Sequence, residues 1–206
     1  MPHPRAVVIG AGIGGLTAAL GLHRRGWHVT VLERAPALAP VGAALTLAPN
    51  AQRALAALAL GEEISRLSAW EGDGLLRDPQ GRPLARTTSA SVVARFGGPL
   101  VVLRRSDLVG LIVGRLPHGS VRTGEAATLT GAGGSGHPAT VSTAEQQYEA
   151  DLVVCADGVN SACRRFLFPS TRARRTAAGR YGGSSPLRRP ASSRTRPGAP
   201  ARCGAP

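Results

Sequence analysis

The chain has 206 residues, enough for one substantial core, with 43% hydrophobic and 3% aromatic residues. Its formal charge of +13 would suggest a nucleic-acid binder, but residues 166–206 hold nine arginines and no acid, so residues 1–165 carry 25 − 9 = 16 basic against 12 acidic residues, a modest +4. Cys155, Cys163 and Cys203 form no CxxC pair, which argues against a disulfide framework or a zinc site and fits a reducing, cytoplasmic setting.

Arg5 and the apolar run to Leu22 mimic a secretory signal, but glycines at fixed offsets and a following strand that ends in an acid favour a folded unit. Ala6–Ile9 is short, apolar and rich in β-branched residues, which predicts a buried parallel strand. Gly14–Arg25 reads as a helix, with Leu16, Ala19, Leu20 and Leu22 on its apolar face and Gly26 as its stop. His28–Glu33 is a second strand, and the three together have the size of one βαβ unit.

The turn between the first strand and the helix, Gly10-Ala11-Gly12-Ile13-Gly14-Gly15, contains GxGxxG at Gly10, Gly12 and Gly15. Gly10 permits the tight turn, Gly12 lets the backbone approach a pyrophosphate, and Gly15 lets the helix pack closely on the sheet. The pyrophosphate would sit at the helix N-terminus, where unpaired N–H groups and the dipole favour an anion. Glu33 ends the second strand at 33 − 15 = 18 residues after Gly15, where a carboxylate accepts hydrogen bonds from ribose hydroxyls. Its competing reading is a solvated acid at a strand end. Gly14, inside the motif, and Arg34, next to Glu33, are counted with the same cofactor-binding set.

Further along, Asn50–Leu60 predicts a helix after the Ala48-Pro49 turn, and Trp70–Arg86 predicts short strands about the turn Asp78-Pro79-Gln80-Gly81. Leu100–Leu103 reads as a strand and Ser106–Leu116 as a helix. Val121–Tyr148 predicts short antiparallel strands around Gly131–Gly136, and Leu152–Cys155 a buried strand in which Cys155 is a small packed residue. Two β-rich insertions, about 70–104 and 120–148, would thus interrupt a dinucleotide-binding domain spanning 1–170. No apolar run is long enough for a membrane span, and no metal site is indicated.

The fingerprint alone does not choose between NAD and FAD. Three later segments bear on that choice: Val41–Ala51 (VGAALTLAPNA), Leu103–Leu108 (LRRSDL) and Asp151–Ser161 (DLVVCADGVNS). Taken in this order with the glycine motif, they resemble the FAD-dependent monooxygenases of the aromatic-hydroxylase type, the p-hydroxybenzoate and salicylate hydroxylase group, over residues 5–170. The resemblance implies an α/β fold: a Rossmann-like FAD/NAD(P)-binding domain with an interleaved, incomplete β-rich substrate segment. It implies that FAD is the dinucleotide and that NAD(P)H is the electron donor. O₂ and a small aromatic substrate would then react through a flavin hydroperoxide, most of that chemistry being the cofactor's own.

Carried over residue by residue, the resemblance implies that Arg105 reaches the phosphate or ribitol region of the flavin cofactor, a task suited to its bidentate fork. Arg104 is the neighbouring candidate, and a surface charge at a helix start is the alternative for either. Asp157 and Gly158 would form the family's Asp-Gly motif near the pyrophosphate. The alternative for Asp157 is that it caps a helix starting near Asn160, a role compatible with the first. Thr46 falls where relatives present a residue toward flavin and substrate. Cys163 has no assigned role.

The chain departs from that pattern after Ser170. Relatives continue into a substrate-covering sheet and a second Gly-Asp motif, whereas the only Gly-Asp pair here is Gly72-Asp73. Residues 171–206 alternate Arg, Pro, Ser, Gly and Ala without periodicity, which predicts disorder. With one choice of synonymous codons, Thr171–Gly183 reads in a shifted frame as HPGPAYGGWTVRG, near the family's own continuation. A frameshift near Ser170, leaving a C-terminally truncated and inactive fragment, is the expectation that follows. The competing functions are another FAD enzyme of the same fold, a halogenase or isoprenoid reductase, and an anion or nucleic-acid binder acting through the arginine tail. The tail has one aromatic residue beyond its start, Tyr181, so no specific nucleic-acid recognition is expected.

Overall fold

The structure is a computed structural model that describes residues 3–38, 43–67 and 73–170. The expected disordered tail and frameshift lie outside the described residues, as does the start of the 70–104 insertion.

The predicted unit is present as β1 (Arg5–Ile9), α1 (Ile13–His23) and β2 (His28–Glu33). There follow β3 (Ala44–Leu47), α2 (Pro49–Ala56) and α3 (Gly61–Leu67), then the expected hairpin as β4 (Gly74–Arg77) and β5 (Pro83–Thr87). After α4 (Ser89–Phe96), β6 (Val101–Arg104) pairs antiparallel with β3, and α5 (Arg105–Val113) starts directly from it. The last elements are β7 (Val121–Thr123), β8 (Thr128–Gly131), β9 (Ala139–Ser142), β10 (Gln147–Ala150), β11 (Leu152–Cys155) and α6 (Ala162–Leu167).

Side chains along β1 and β2 alternate between two apolar layers. Ala6, Val8, Val29 and Val31 pack with Leu16, Ala19 and Leu20 of α1 and with Leu108 and Ile112 of α5. Val7, Ile9 and Leu32 pack on the opposite side with Leu129, Val141, Ala150 and Cys163. A strand covered on both faces has no place for a polar residue, which is why Ala6–Ile9 is wholly apolar. Helices α1 and α5 on one side, a parallel sheet in the middle and the antiparallel sheet β10-β9-β8 with α6 on the other give a layered α/β fold of Rossmann-like type.

The central sheet has four strands in the order β11-β1-β2-β7, all parallel. From β1 the chain moves through α1 to β2 on one side, and it returns much later as β11 on the other. The carboxyl ends of β1 and β11 therefore diverge at a topological switch point, where open α/β sheets form a crevice.

Three sequence expectations are corrected. Val121–Thr123 joins the parallel sheet beside β2, and antiparallel pairing begins only at Thr128; a three-residue strand has too short a pattern to reveal its partner. The helix expected over Asn50–Leu60 stops at Ala56, and a turn with Ala59 at φ +59° carries Leu60 into the core before a second helix, Gly61–Leu67, that was not expected. Cys155 is exposed rather than packed, because it is the last residue of an edge strand, while Cys163 is the buried thiol. Helix α4 was not expected, although Thr88 and Ser91 form a reciprocal capping box at its start.

Candidate dinucleotide-binding site

The glycine loop follows β1 at the switch point, and each glycine in it answers a different local demand. Gly10 has φ +104°, and a Cβ there would lie 2.5 Å from the Ala156 carbonyl oxygen. Gly15 sits where α1 meets the loop, and a Cβ there would lie 2.0 Å from the Gly10 oxygen. Both must be glycine for the fold itself. Gly12 and Gly14 differ: a Cβ at either would meet no atom within 4 Å. Gly12 is the N-cap of α1 with an ordinary extended backbone, φ −69° and ψ 171°, so nothing in the chain requires glycine there.

Gly12 faces two adjoining cavities. The larger, about 410 Å³, is bordered by Gly10, Gly12, Glu33, Arg34, Asp157 and Gly158. The smaller, about 220 Å³, is bordered by Gly12, Glu33 and Arg105, with Ala11, Ala37 and Val109. Six of the sequence-predicted residues thus share one space and Arg105 shares the next. Gly15 lies buried beneath them, Gly14 is exposed on the first turn of α1, and neither borders the cavities. Arg104, the last residue of β6, and Thr46, exposed on β3 opposite Val102, border neither cavity.

Glu33 is tied down before any ligand arrives. Its Oε2 accepts from the Ala11 N–H at 2.8 Å and its Oε1 from the Ala35 N–H at 2.9 Å. Each oxygen keeps a further lone pair, so the carboxylate still has capacity for hydroxyl donors. The strand end, the glycine loop and the next turn are thereby held in one arrangement.

Asp157 follows β11 across the crevice. Its Oδ2 accepts from the Ala162 N–H at 2.7 Å and the Cys163 N–H at 3.1 Å, so it caps α6 from outside, while Ser161 Oγ accepts from Arg164 N–H. Its Oδ1 is buried without a hydrogen-bond partner among the described residues. Burial pushes the carboxyl up, but the Ser161 hydroxyl and the backbone N–H groups of Cys163 and Ala162 outweigh it and hold Asp157 below its ordinary 3.8. A depressed folded value means that the ionised form stabilises the fold. That contribution is complete above 3.8 and is lost as pH falls through the lower folded value. Asp157→Ala should therefore cost about 1 kcal/mol at neutral pH, the usual worth of a cap. Thermal midpoints measured from about pH 6 down to pH 2 should also show the parent losing stability that the variant lacks from the start.

Residues that sequence reasoning missed include Ala126, Ala127, Asn160 and Arg165, all bordering the larger cavity. Arg165 donates to the Asn160 carbonyl oxygen at 2.8 Å. The alanines carry no chemical signature, and only the path of the chain from β7 to β8 brings them here. Asn160 and Arg165 lie just beyond the Asp-Gly pair, where their nearness to that motif was a usable signal. Burial, followed by the neighbouring Cys155 thiol, pushes the Cys163 thiol up to about 12, which makes it a packing residue and not a nucleophile.

Comparison with known proteins bears on the cofactor. The family described as FAD dependent oxidoreductase matches residues 5–48. The chain is 39% identical over 167 residues to a 3-amino-4-hydroxybenzoate 2-monooxygenase of Streptomyces platensis, covering 80% of this chain and 42% of that protein. It is 44% identical over 115 residues to 3-hydroxybenzoate 6-hydroxylase 1 of Aquipseudomonas alcaligenes, covering 54% of this chain and 29% of that one. Among solved structures, Klebsiella pneumoniae HpxO complexed with FAD and uric acid aligns with a TM-score of 0.69 at 27% identity, over 79% of this chain and 41% of that one. The chain thus spans about two fifths of the length of the Streptomyces protein, 42%. Among the described residues no helix is long and apolar enough to cross a membrane. Over 80% of its length the chain is thus similar to a hydroxybenzoate monooxygenase, and it shares the fold of a structure complexed with FAD.

Proposed function

We propose that this chain binds FAD, with the adenosine diphosphate half in the two cavities around Gly12. We further propose that it forms the flavin-binding part of an NAD(P)H-dependent monooxygenase that acts on a small aromatic substrate with O₂. The observation that carries the reading is Gly12, a glycine whose missing side chain faces a cavity and not a neighbouring atom. A residue kept small without an internal reason fits close approach by a ligand. The orphaned Asp157 Oδ1 at the same crevice fits a bound donor equally well.

In this arrangement the first N–H groups of α1 hold the pyrophosphate, and Glu33 accepts from the ribose hydroxyls while keeping its grip on the loop. Arg105, at the start of α5, places a guanidinium beside the smaller cavity and offers a bidentate fork to phosphate or ribitol oxygens. Arg34 adds positive charge at the mouth of the larger one. When bound, the flavin supplies electron transfer from a nicotinamide donor to O₂; the chain's residues position it and exclude water around its phosphates. The nicotinamide donor rests on the resemblance carried by the sequence motifs and the aromatic substrate on the activities of similar proteins, and Thr46 is the residue proposed to face that substrate.

The test is titration of the purified chain with FAD, followed by its visible absorbance and by retention of the flavin through gel filtration. Saturable one-to-one binding is expected. Absence of any bound flavin at about 100 µM, weaker than about −5.5 kcal/mol, would overturn the proposal for this chain.

A further inference from the structure

At the opposite edge of the parallel sheet lies a cavity that the dinucleotide site does not use. It has a volume of about 370 Å³ and opens at the amino ends of β2 and β7, beside the end of α1. Four of the chain's five histidines border it, His3, His23, His28 and His118, together with Trp27 and Arg122. No carboxylate is among the described residues that line it.

The four imidazoles come from four separate places: the segment before β1, the last residue of α1, the first residue of β2 and the turn after α5. Only the fold gathers them. His118 stands at the corner of a turn closed by Ser120 N–H donating to the Pro117 carbonyl at 3.1 Å, with Gly119 at φ +77° as such a turn requires. The Ser120 carbonyl accepts from Val31 N–H at 2.7 Å, which pins the turn to β2. His3 Nδ1 donates to the Gly26 carbonyl at 3.0 Å, which leaves its Nε2 for another partner.

The charged groups nearby are accounted for. Arg122 lies 3.8 Å from Glu125 and donates to the Tyr148 hydroxyl at 3.0 Å. Arg24 and Arg25 donate to the Leu58 and Gly21 carbonyls. Arg5 pairs with Glu149 at 3.9 Å, and Asp151 accepts from the Arg5 N–H. The acids of this edge are thus engaged outside the cavity. Among the described residues no three His, Cys, Asp or Glu side chains converge as metal ligands. The imidazoles surround a ligand-sized space and not a point.

We propose that this cleft binds a small oxyanion, a carboxylate or a phosphate ester, whose charge meets the imidazole N–H groups and Arg122 and whose body lies against Trp27. Imidazole gains its second N–H and a positive charge on protonation, so binding strengthens toward acid pH.

The test uses the full chain carrying Trp70→Phe, so that Trp27 is the only one of the two tryptophans left as a reporter. Inorganic phosphate and benzoate are titrated separately at about pH 6 and pH 8 while Trp27 emission is followed. At least one probe should give a saturable response, about tenfold tighter at the lower pH and about tenfold weaker in His28→Gln/His118→Gln. A response to phosphate alone assigns a phosphate ester, and one to benzoate alone a carboxylate. No saturable response at the lower pH, or a double variant that binds like its parent, would overturn the proposal. Circular dichroism checks that the variant is folded, and the single variant His118→Gln, in an exposed turn, repeats the test if the double one is not. FAD binding by the double variant should be unchanged, which separates this cleft from anion binding at the glycine loop.

Discussion

Gly12→Val should lower FAD affinity by about 100-fold, about 2.7 kcal/mol, while shifting the thermal midpoint by no more than about 3 °C. A Cβ at this position meets no atom within 4 Å and Gly12 borders the cavity, so the fold has little to object to. The small stability loss is that of a poorer N-cap. Gly15→Ala should behave in the opposite way on stability. Its single added carbon would stand 2.0 Å from the Gly10 oxygen, so α1 must move away from β1. Overpacking of this kind costs about 1–3 kcal/mol, or a midpoint lowered by about 3–10 °C in a chain of this size. Melting curves with and without FAD measure both. A Gly12→Val protein that binds FAD like its parent would remove the main support for the proposed function. A Gly15→Ala protein with an unchanged midpoint would show that the close contact relaxes at no cost.

Glu33→Ala should lose about 2 kcal/mol of stability and weaken FAD binding by more than about tenfold. Two half-buried backbone N–H groups, Ala11 and Ala35, would lose a charged acceptor at once. Glu33→Gln keeps the shape but faces one of those N–H groups with an amide that cannot accept, so it should fall between parent and Ala variant. The two readouts separate two roles. A lowered midpoint with unchanged FAD affinity would leave Glu33 as a brace for the loop and remove its ribose role. The reverse result would make it a ligand contact alone.

The βαβ unit was legible because its signals are local. An apolar strand, three spaced glycines, a helical apolar face and a terminal acid all lie within Arg5–Glu33. The Asp78–Gly81 turn and the β8–β10 region were legible for the same reason: turn residues and alternation act over a few positions. What failed depended on distant partners. β7 was read as antiparallel because nothing in Val121–Thr123 names β2 as its neighbour. Cys155 was read as packed because an edge strand and a central strand can share the sequence Leu-Val-Val-Cys.

At the candidate site, Gly10, Gly12, Gly15 and Glu33 were readable as a motif, and Asp157 and Arg105 through family resemblance. Their convergence was not readable. Asp157 lies 157 − 12 = 145 residues from Gly12 in the chain and reaches the same cavity only because β11 inserts beside β1. The motif had already assigned Gly10 and Gly15 to the fold and Gly12 to ligand approach, and the structure adds what a Cβ would meet at each.

By itself, then, the sequence determined the local elements and the dinucleotide fingerprint, because backbone preference and apolar periodicity act between residues a few positions apart. The tertiary structure alone decided which strand ends meet and that four scattered histidines share one cleft. Those outcomes rest on strand pairing and layer packing between segments far apart in the chain, whose partners no local pattern records.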